Sequence, residues 1–436
     1  MKDILNLTKD SLATLLICSN LAIDYKKETI KPYTVRQWNI LVDKLMNSSM
    51  RRPSSFFETT EQDWARELYL NNEEIDRLNS LLSRAGQLGI ELENLRNLGI
   101  QITTRAEKNY PKRLKSILKK DSPPIVFYCG DLRMLENKGI AMVGSRNIDQ
   151  VGLDFTKTIA KKCVLEGFNI ISGGAQGVDS AAEETALKLQ GKVVSFIATS
   201  MVQKIKVKEV RKAIINGNLL LMSATNPKSG FRVYTAMGRN KYIYSLSNSA
   251  IVVSSDYNKG GTWAGAIENL KNNWVPMFVR RDDKIPEGNK ELLNKGVHPI
   301  EVGLFTDKGV SISEYINSKI NSSHNNEIMI QMDIESFINN KAKHQNYIIA
   351  KEDESSIEIK EDKKEDDVSN MNDAQVDIYN IVWPYIEKEL IHPKNSEELS
   401  EIFKLKKSQV DEWLKRAVEE KKIKRLTRPV RYIISK

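Results

Sequence analysis

The middle of the chain alternates between short apolar runs and helical segments, and this alternation narrows the fold more than any other feature. Residues 140–143 (IAMV) are apolar and stop at Gly144. The stretch DFTKTIAKKCVLEG then has helical spacing and closes at Gly167. Apolar runs recur at 169–171, 192–198, 218–223, 248–255 and 275–279. Helical segments such as DSAAEETALKLQG and TWAGAIENLKNN lie between them. Short strands with helical returns form βαβ units and a largely parallel sheet. The runs do not alternate apolar with polar, as expected of strands covered on both faces.

The flanks differ. Residues 1–107 read as a helical amino-terminal domain. In TEQDWARELYLNNEEIDRLNSLLSRAG, Thr60 and Asp63 are placed for a first-turn cap, and Leu78, Leu81, Leu82 and Ala85 recur at helical spacing. The sheet domain spans 108–319. Residues 320–371 are polar and partly acidic, with too little apolar surface to offset the entropy of ordering, and read as a linker. In 372–436, QVDIYNIVWPYIEKEL, NSEELSEIF and SQVDEWLKRAVEEKK read as three helices. Asn395 and Glu398 are spaced for a capping box, and IKRL and VRYII form a terminal hairpin. Three helices and a hairpin give the outline of a winged helix, with twelve bases against four acids from Lys404 onward. Such a module binds DNA or contacts proteins.

A chain of 436 residues is long enough for two to four domains. The net charge is +9, and residues 351–367 alone hold nine acids and four bases. The remainder is therefore more basic still, which suits a polyanionic partner. No run of about eighteen apolar residues occurs, so no membrane span is expected. The amino terminus lacks the basic start and cleavage pattern of a signal peptide. Cys18, Cys129 and Cys163 are scattered, which fits a reducing, cytoplasmic compartment. His298, His324, His344 and His392 do not cluster. No catalytic residue, metal ligand or cofactor is therefore assigned.

In a parallel sheet, ligands collect beyond the carboxyl ends of the strands. Three loops belong there: Gly144-Ser145-Arg146, the stretch SGGAQG with Gly173, Gly174 and Gly177, and KGGT with Gly260, Gly261 and Thr262. Each has two readings, a tight turn or a backbone surface for an anion at a helix start. Asp179 follows the glycine loop and would repel a phosphate it faced; capping the helix and bracing the loop is its simpler role. Asp179 and Glu183 share one helical face, read as solvated or capping. A fourth stretch interleaves Arg232, Arg239, Asn240 and Lys241 with Phe231, Tyr234, Tyr242 and Tyr244. Cations beside aromatics suit a single nucleic-acid strand.

The motifs MVGSRNIDQVG, IISGGAQGVDSAA, GRNKYIYSLSNSAIVVSS and GGTWAGAIENL, in that order, resemble the signatures of the DNA-processing protein A family, also called Smf. Residues 102–135 resemble that family's entry into its sheet. The chain is identified on these motifs as a divergent member. The resemblance implies an α/β fold: an extended Rossmann-like, mostly parallel sheet, with an amino-terminal helical domain and a carboxyl-terminal winged helix. It implies protection of single-stranded DNA, help in loading a RecA-like recombinase, and a homodimer. By position, Gly144, Ser145 and Arg146 would line an anion pocket. Gly173, Gly174, Gly177 and Asp179 would form the glycine loop. Arg239, Asn240 and Lys241 would match an Arg-Asn-Arg element, with lysine replacing its last arginine and losing the bidentate fork. Glu183 stands where members usually carry histidine. An alternative rests on similarity to a wider nucleotide-binding superfamily whose glycine-rich GG-T loop works with a glutamate. Gly260, Gly261 and Thr262 precede Glu268 here, so that reading is a nucleotide-sensing or nucleotide-hydrolysing protein, for example in phage defence.

Overall fold

The computed structural model describes residues 7–23, 30–306 and 309–322, then 379, 383, 386, 387, 389–403, 407–427 and 430–434. From residue 323 on, the expected linker lies outside the described residues, as does most of the helix expected before residue 390. The chain divides into two compact units, 1–345 and 346–436.

The first unit is built on nine strands: β1 (Gln101–Thr104), β2 (Ile125–Cys129), β3 (Gly139–Gly144), β4 (Asn169–Ser172), β5 (Val193–Phe196), β6 (Leu219–Ser223), β7 (Ser249–Ser254), β8 (Met277–Arg280) and β9 (His298–Ile300). Their order is β1-β2-β6-β5-β4-β3-β7-β8-β9. The strands from β6 across to β9 pair in parallel, whereas β2 runs antiparallel to both β1 and β6. The sheet is thus mixed, with a parallel centre. All six apolar runs of the sequence became strands.

The continuous apolar runs are explained by the faces they cover. Ile140, Met142, Ile170, Val193, Leu219, Leu221, Ile251 and Phe278 enter one buried cluster. Their neighbours Ala141, Val143, Ile171, Val194, Leu220, Met222, Val252 and Val279 enter another, on the opposite face. Burial of each such Val, Leu, Ile, Met or Phe side chain contributes about 1.5–3 kcal/mol. The first face is covered by α7 (Gln150–Leu165) and α8 (Val178–Lys188), the second by α6 (Lys112–Leu118), α11 (Val233–Leu246) and α12 (Gly260–Asn272).

The helices α1 to α5 precede β1, at Lys9–Cys18, Val35–Met46, Glu61–Leu68, Asn72–Leu82 and Ala85–Asn97. Three of them begin with a capping box: Thr34 with Gln37, Thr60 with Asp63, and Asn71 with Glu74. Trp38, Leu41, Phe56, Trp64 and Leu78 form a core of their own. Leu15 and Leu16 of α1, and Leu88, Leu92 and Leu95 of α5, instead join the apolar cluster of the sheet. The short helices α9 (Met201–Lys204) and α10 (Lys208–Ile215) follow β5. No described helix is long and apolar enough to cross a membrane.

In the second unit, the helices Ser396–Phe403 and Lys407–Glu419 precede an antiparallel hairpin of Ile423–Leu426 and Arg431–Ile434. Lys394 adds a bridge to Tyr432. Asn395 accepts a bond from the Glu398 amide at 2.8 Å, and Glu398 accepts one from the Asn395 amide at 3.0 Å, so the expected capping box is present. Trp383, Ile386, Leu390, Leu399, Val410, Leu414 and Ile423 form the core.

Candidate nucleic-acid interface

Strand order reverses direction between β3 and β7, since the connection from β3 runs to one side through β4 and that from β7 to the other through β8. A crevice opens beyond the carboxyl ends of strands at such a point. Here it is a cleft of about 340 Å³. Gly144, Ser145 and Arg146 line it from the end of β3, Ala175 and Asp179 from the glycine loop, and Gly260, Gly261 and Thr262 from the start of α12. Phe231, Arg239 and Asn240 reach it from α11 and its approach. Four segments distant in sequence therefore meet at one place. Lys241 lies outside the cleft, with its Nζ 5.4 Å from the Tyr242 ring centroid. Glu268 lies outside it too. Burial raises its carboxyl above the usual range, against the pull of the Lys241 charge.

The glycine loop is packed from within. Arg239 is only 7% exposed and lies directly beneath Gly173, where any Cβ would overlap its guanidinium. Arg239 Nη1 donates to the Phe196 carbonyl at 2.9 Å and stands 3.9 Å from Asp179 Oδ2. Gly177, at φ +86°, brings its backbone against the carbonyls of Ser145 and Arg146; a side chain would collide with both. The Ser145 amide donates to the Ser254 carbonyl at 2.8 Å, tying the β3 loop to the end of β7.

The amides of the loop serve two of the protein's own carboxylates. The Gly174 amide donates to Glu183 Oε1 at 2.9 Å, and the Ser195 hydroxyl donates to the same oxygen at 2.7 Å. The Ala175 and Gly173 amides bond Asp179. Asp179 and Glu183 are 5% and 8% exposed, so their shared helical face is buried and not solvated as expected; it packs beneath the loop it holds. Burial raises both carboxyls above their ordinary values, and Glu183, also pressed by the Asp179 charge, is pushed up to about 7. Burial likewise lowers the Arg239 guanidinium, while Asp179 opposes that shift.

What remains for a ligand is the rim and the floor. The Arg146 guanidinium is exposed and sits 4.7 Å over the ring of Phe231, itself 44% exposed. Lys259 and Asp256 complete the polar rim, and Val233, Met237 and Ile243 supply apolar wall. At the floor, Tyr244 OH and Arg239 Nε are buried without a hydrogen-bond partner among the described residues. Asn240 Nδ2 donates to the Gly261 carbonyl at 2.7 Å and so fixes the α12 entry. Sequence reasoning missed Val233, Met237 and Asp256. The first two come to the cleft only because the stretch preceding Arg239 is helical, a period hidden by its mixed polar and aromatic composition. No group of three or more His, Cys, Asp or Glu side chains suited to a metal occurs among the described residues.

In the second unit the basic run is partly consumed internally. Lys422 pairs with Glu420 at 2.6 Å and lies over the Tyr379 ring, and Arg431 pairs with Glu398 at 3.4 Å. Lys421, Lys424 and Arg425 stay exposed. Arg428 lies outside the described residues.

The fold defines a doubly wound α/β protein with a cleft at its switch point. Residues 101–303 match the family described as DNA recombination-mediator protein A. The chain is 28% identical over 215 residues to the DNA processing protein DprA of Bacillus subtilis, covering 49% of this chain and 69% of that protein. It is 31% identical over 202 residues to the DNA processing protein DprA of Streptococcus pneumoniae, covering 44% and 68%. The X-ray structure of DNA processing protein A from Streptococcus pneumoniae superposes with a TM-score of 0.51 at 20% identity, over 67% of this chain and 95% of that one, a likeness of fold. The chain belongs to the DprA/Smf family of DNA-processing proteins.

Proposed function

We propose that the first unit binds single-stranded DNA in the cleft, without strong sequence preference, and shields the strand for transfer to a RecA-like recombinase. The observation that carries this reading is the rim: an exposed guanidinium stacked on an exposed phenylalanine, over an apolar-walled cleft. A cation for phosphate beside a ring for stacking is the chemistry of single-strand binding. The packed glycine loop acts as scaffold, and Arg146 with Lys259 meets phosphate. The assignment of Gly173, Gly174, Gly177 and Arg239 thereby shifts from contact to support. A homodimer and a cytoplasmic location complete the reading. The second unit is read as a winged helix of auxiliary, salt-sensitive DNA affinity, through Lys421, Lys424 and Arg425.

The test is a titration of the full chain with labelled oligothymidylate at several salt concentrations. Two phosphate contacts predict a log–log slope of about −1.4 from the cleft, at about 0.7 per contact on a single strand. Affinity that ignores salt, or that favours blunt duplex, overturns the reading.

A further inference from the structure

A second cavity, of about 630 Å³, lies between α8 and α10 on the sheet face away from α11 and α12. Leu187, Val210, Ala213 and Leu221 give it an apolar wall, and Gly174 and Glu183 line it where it meets the glycine loop. Glu183 is more than nine-tenths buried. Its Oε1 carries both bonds described above, from the Gly174 amide and the Ser195 hydroxyl, and no hydrogen bond to Oε2 is made by any described residue. Lys204 lines the same cavity but makes no ion pair with Glu183.

A carboxyl with one open oxygen on the wall of an apolar cavity selects for a hydrogen-bond donor on an apolar body. Anions are disfavoured by Glu183 and by Asp179 one turn away. A purely apolar ligand would leave the carboxyl as it is and gain nothing from it. We propose that this cavity is a second binding site, for a small molecule with an apolar or aromatic body and an amidine or amine head that pairs with Glu183. The charged groups that line the cavity or act on that carboxyl are Asp179, Glu184 and Lys188 on α8, Lys204 on α9, Glu209 and Lys212 on α10, and Arg239 on α11. They are mixed in sign, so the ligand's own charge decides the pairing. Burial pushes Glu183 up to about 7, so a cationic head meets a charged partner at pH 8 and a largely neutral one at pH 6.

The probe is benzamidine, a cation throughout this range, with benzamide as its neutral counterpart, measured by calorimetry on the full chain without DNA. The outcome is therefore independent of the nucleic-acid reading. Benzamidine is expected to bind at pH 8, up to about tenfold more weakly at pH 6, and at least tenfold more weakly to Glu183→Gln. Benzamide should show no such pH dependence. Ala213→Leu, which fills the cavity from α10, should weaken binding while leaving thermal unfolding within a few degrees of the parent. If Glu183→Gln fails to fold, the pH comparison and Ala213→Leu decide. Equal affinity at both pH values, equal affinity for Ala213→Leu, or no heat at millimolar benzamidine at pH 8 would overturn the site.

Discussion

Gly173→Ala isolates the support beneath the cleft. Gly173 is not in the left-handed region, so alanine is tolerated by the backbone itself. The cost comes from one neighbour, because the new Cβ occupies the space of the Arg239 guanidinium. Displacing it breaks the Nη1 bond to the Phe196 carbonyl, worth about 1.5–3 kcal/mol for a charged donor. It also leaves Asp179 buried without its cation, and breaking a buried pair costs about 3–5 kcal/mol. The 3.9 Å separation is loose and the two effects overlap, so about 3 kcal/mol is expected in all. Arg239→Leu alone should cost a similar amount. In the double variant the alanine should add about 0.5 kcal/mol or less, since the clash has gone, giving a coupling of about 2–3 kcal/mol. Urea unfolding of all four proteins, followed by circular dichroism, measures the cycle. A single-variant cost below about 1 kcal/mol, or strict additivity, refutes the packing argument.

Three further outcomes follow. Arg146→Ala should weaken oligonucleotide binding about equally for all sequences, because phosphates carry no sequence code, and change the melting temperature little; a sequence-dependent loss would place Arg146 on a base. Glu183 has a folded value raised above that of an unfolded glutamate, so its contribution to stability is full below about pH 4.5 and is lost as pH rises toward about 7. Glu183→Gln should flatten the stability-against-pH curve over that window by up to about 3 kcal/mol, as read by urea midpoints from pH 4 to 8; parallel curves for the two proteins contradict this. Replacing Lys424 and Arg425 together by alanine should lower duplex affinity at low salt and leave single-strand affinity nearly unchanged, with a gel shift as the assay.

The parallel centre was legible because each of its strands is an apolar run between helical segments, from Ile140 to Val279. The outer strands were not. β1 (QITT) is too short and polar to stand out, and β9 (HPI) is three residues with a central proline; both owe their state to the strand beside them. The three glycine loops were legible as loops at the carboxyl edge of the sheet, and their meeting place follows from strand order. The function of SGGAQG was only half legible. Its glycines signal close approach, but sequence cannot say whether a ligand or a side chain approaches. Arg239 lies 66 residues beyond Gly173, and nothing local to either residue announces their contact.

The leucines of α1 and α5 bind the amino-terminal helices of the first unit to its sheet. The family match begins at residue 101, the first residue of β1, but the apolar cluster on that sheet face includes Leu15, Leu16, Leu21, Leu88, Leu92 and Leu95. The matched segment is thus smaller than the segment that buries its own surface. A fragment trimmed to the match would carry an open greasy seam beside β1 and β2, and would tend to self-associate. In this chain the helices preceding the sheet form part of its hull, and their leucines keep it watertight.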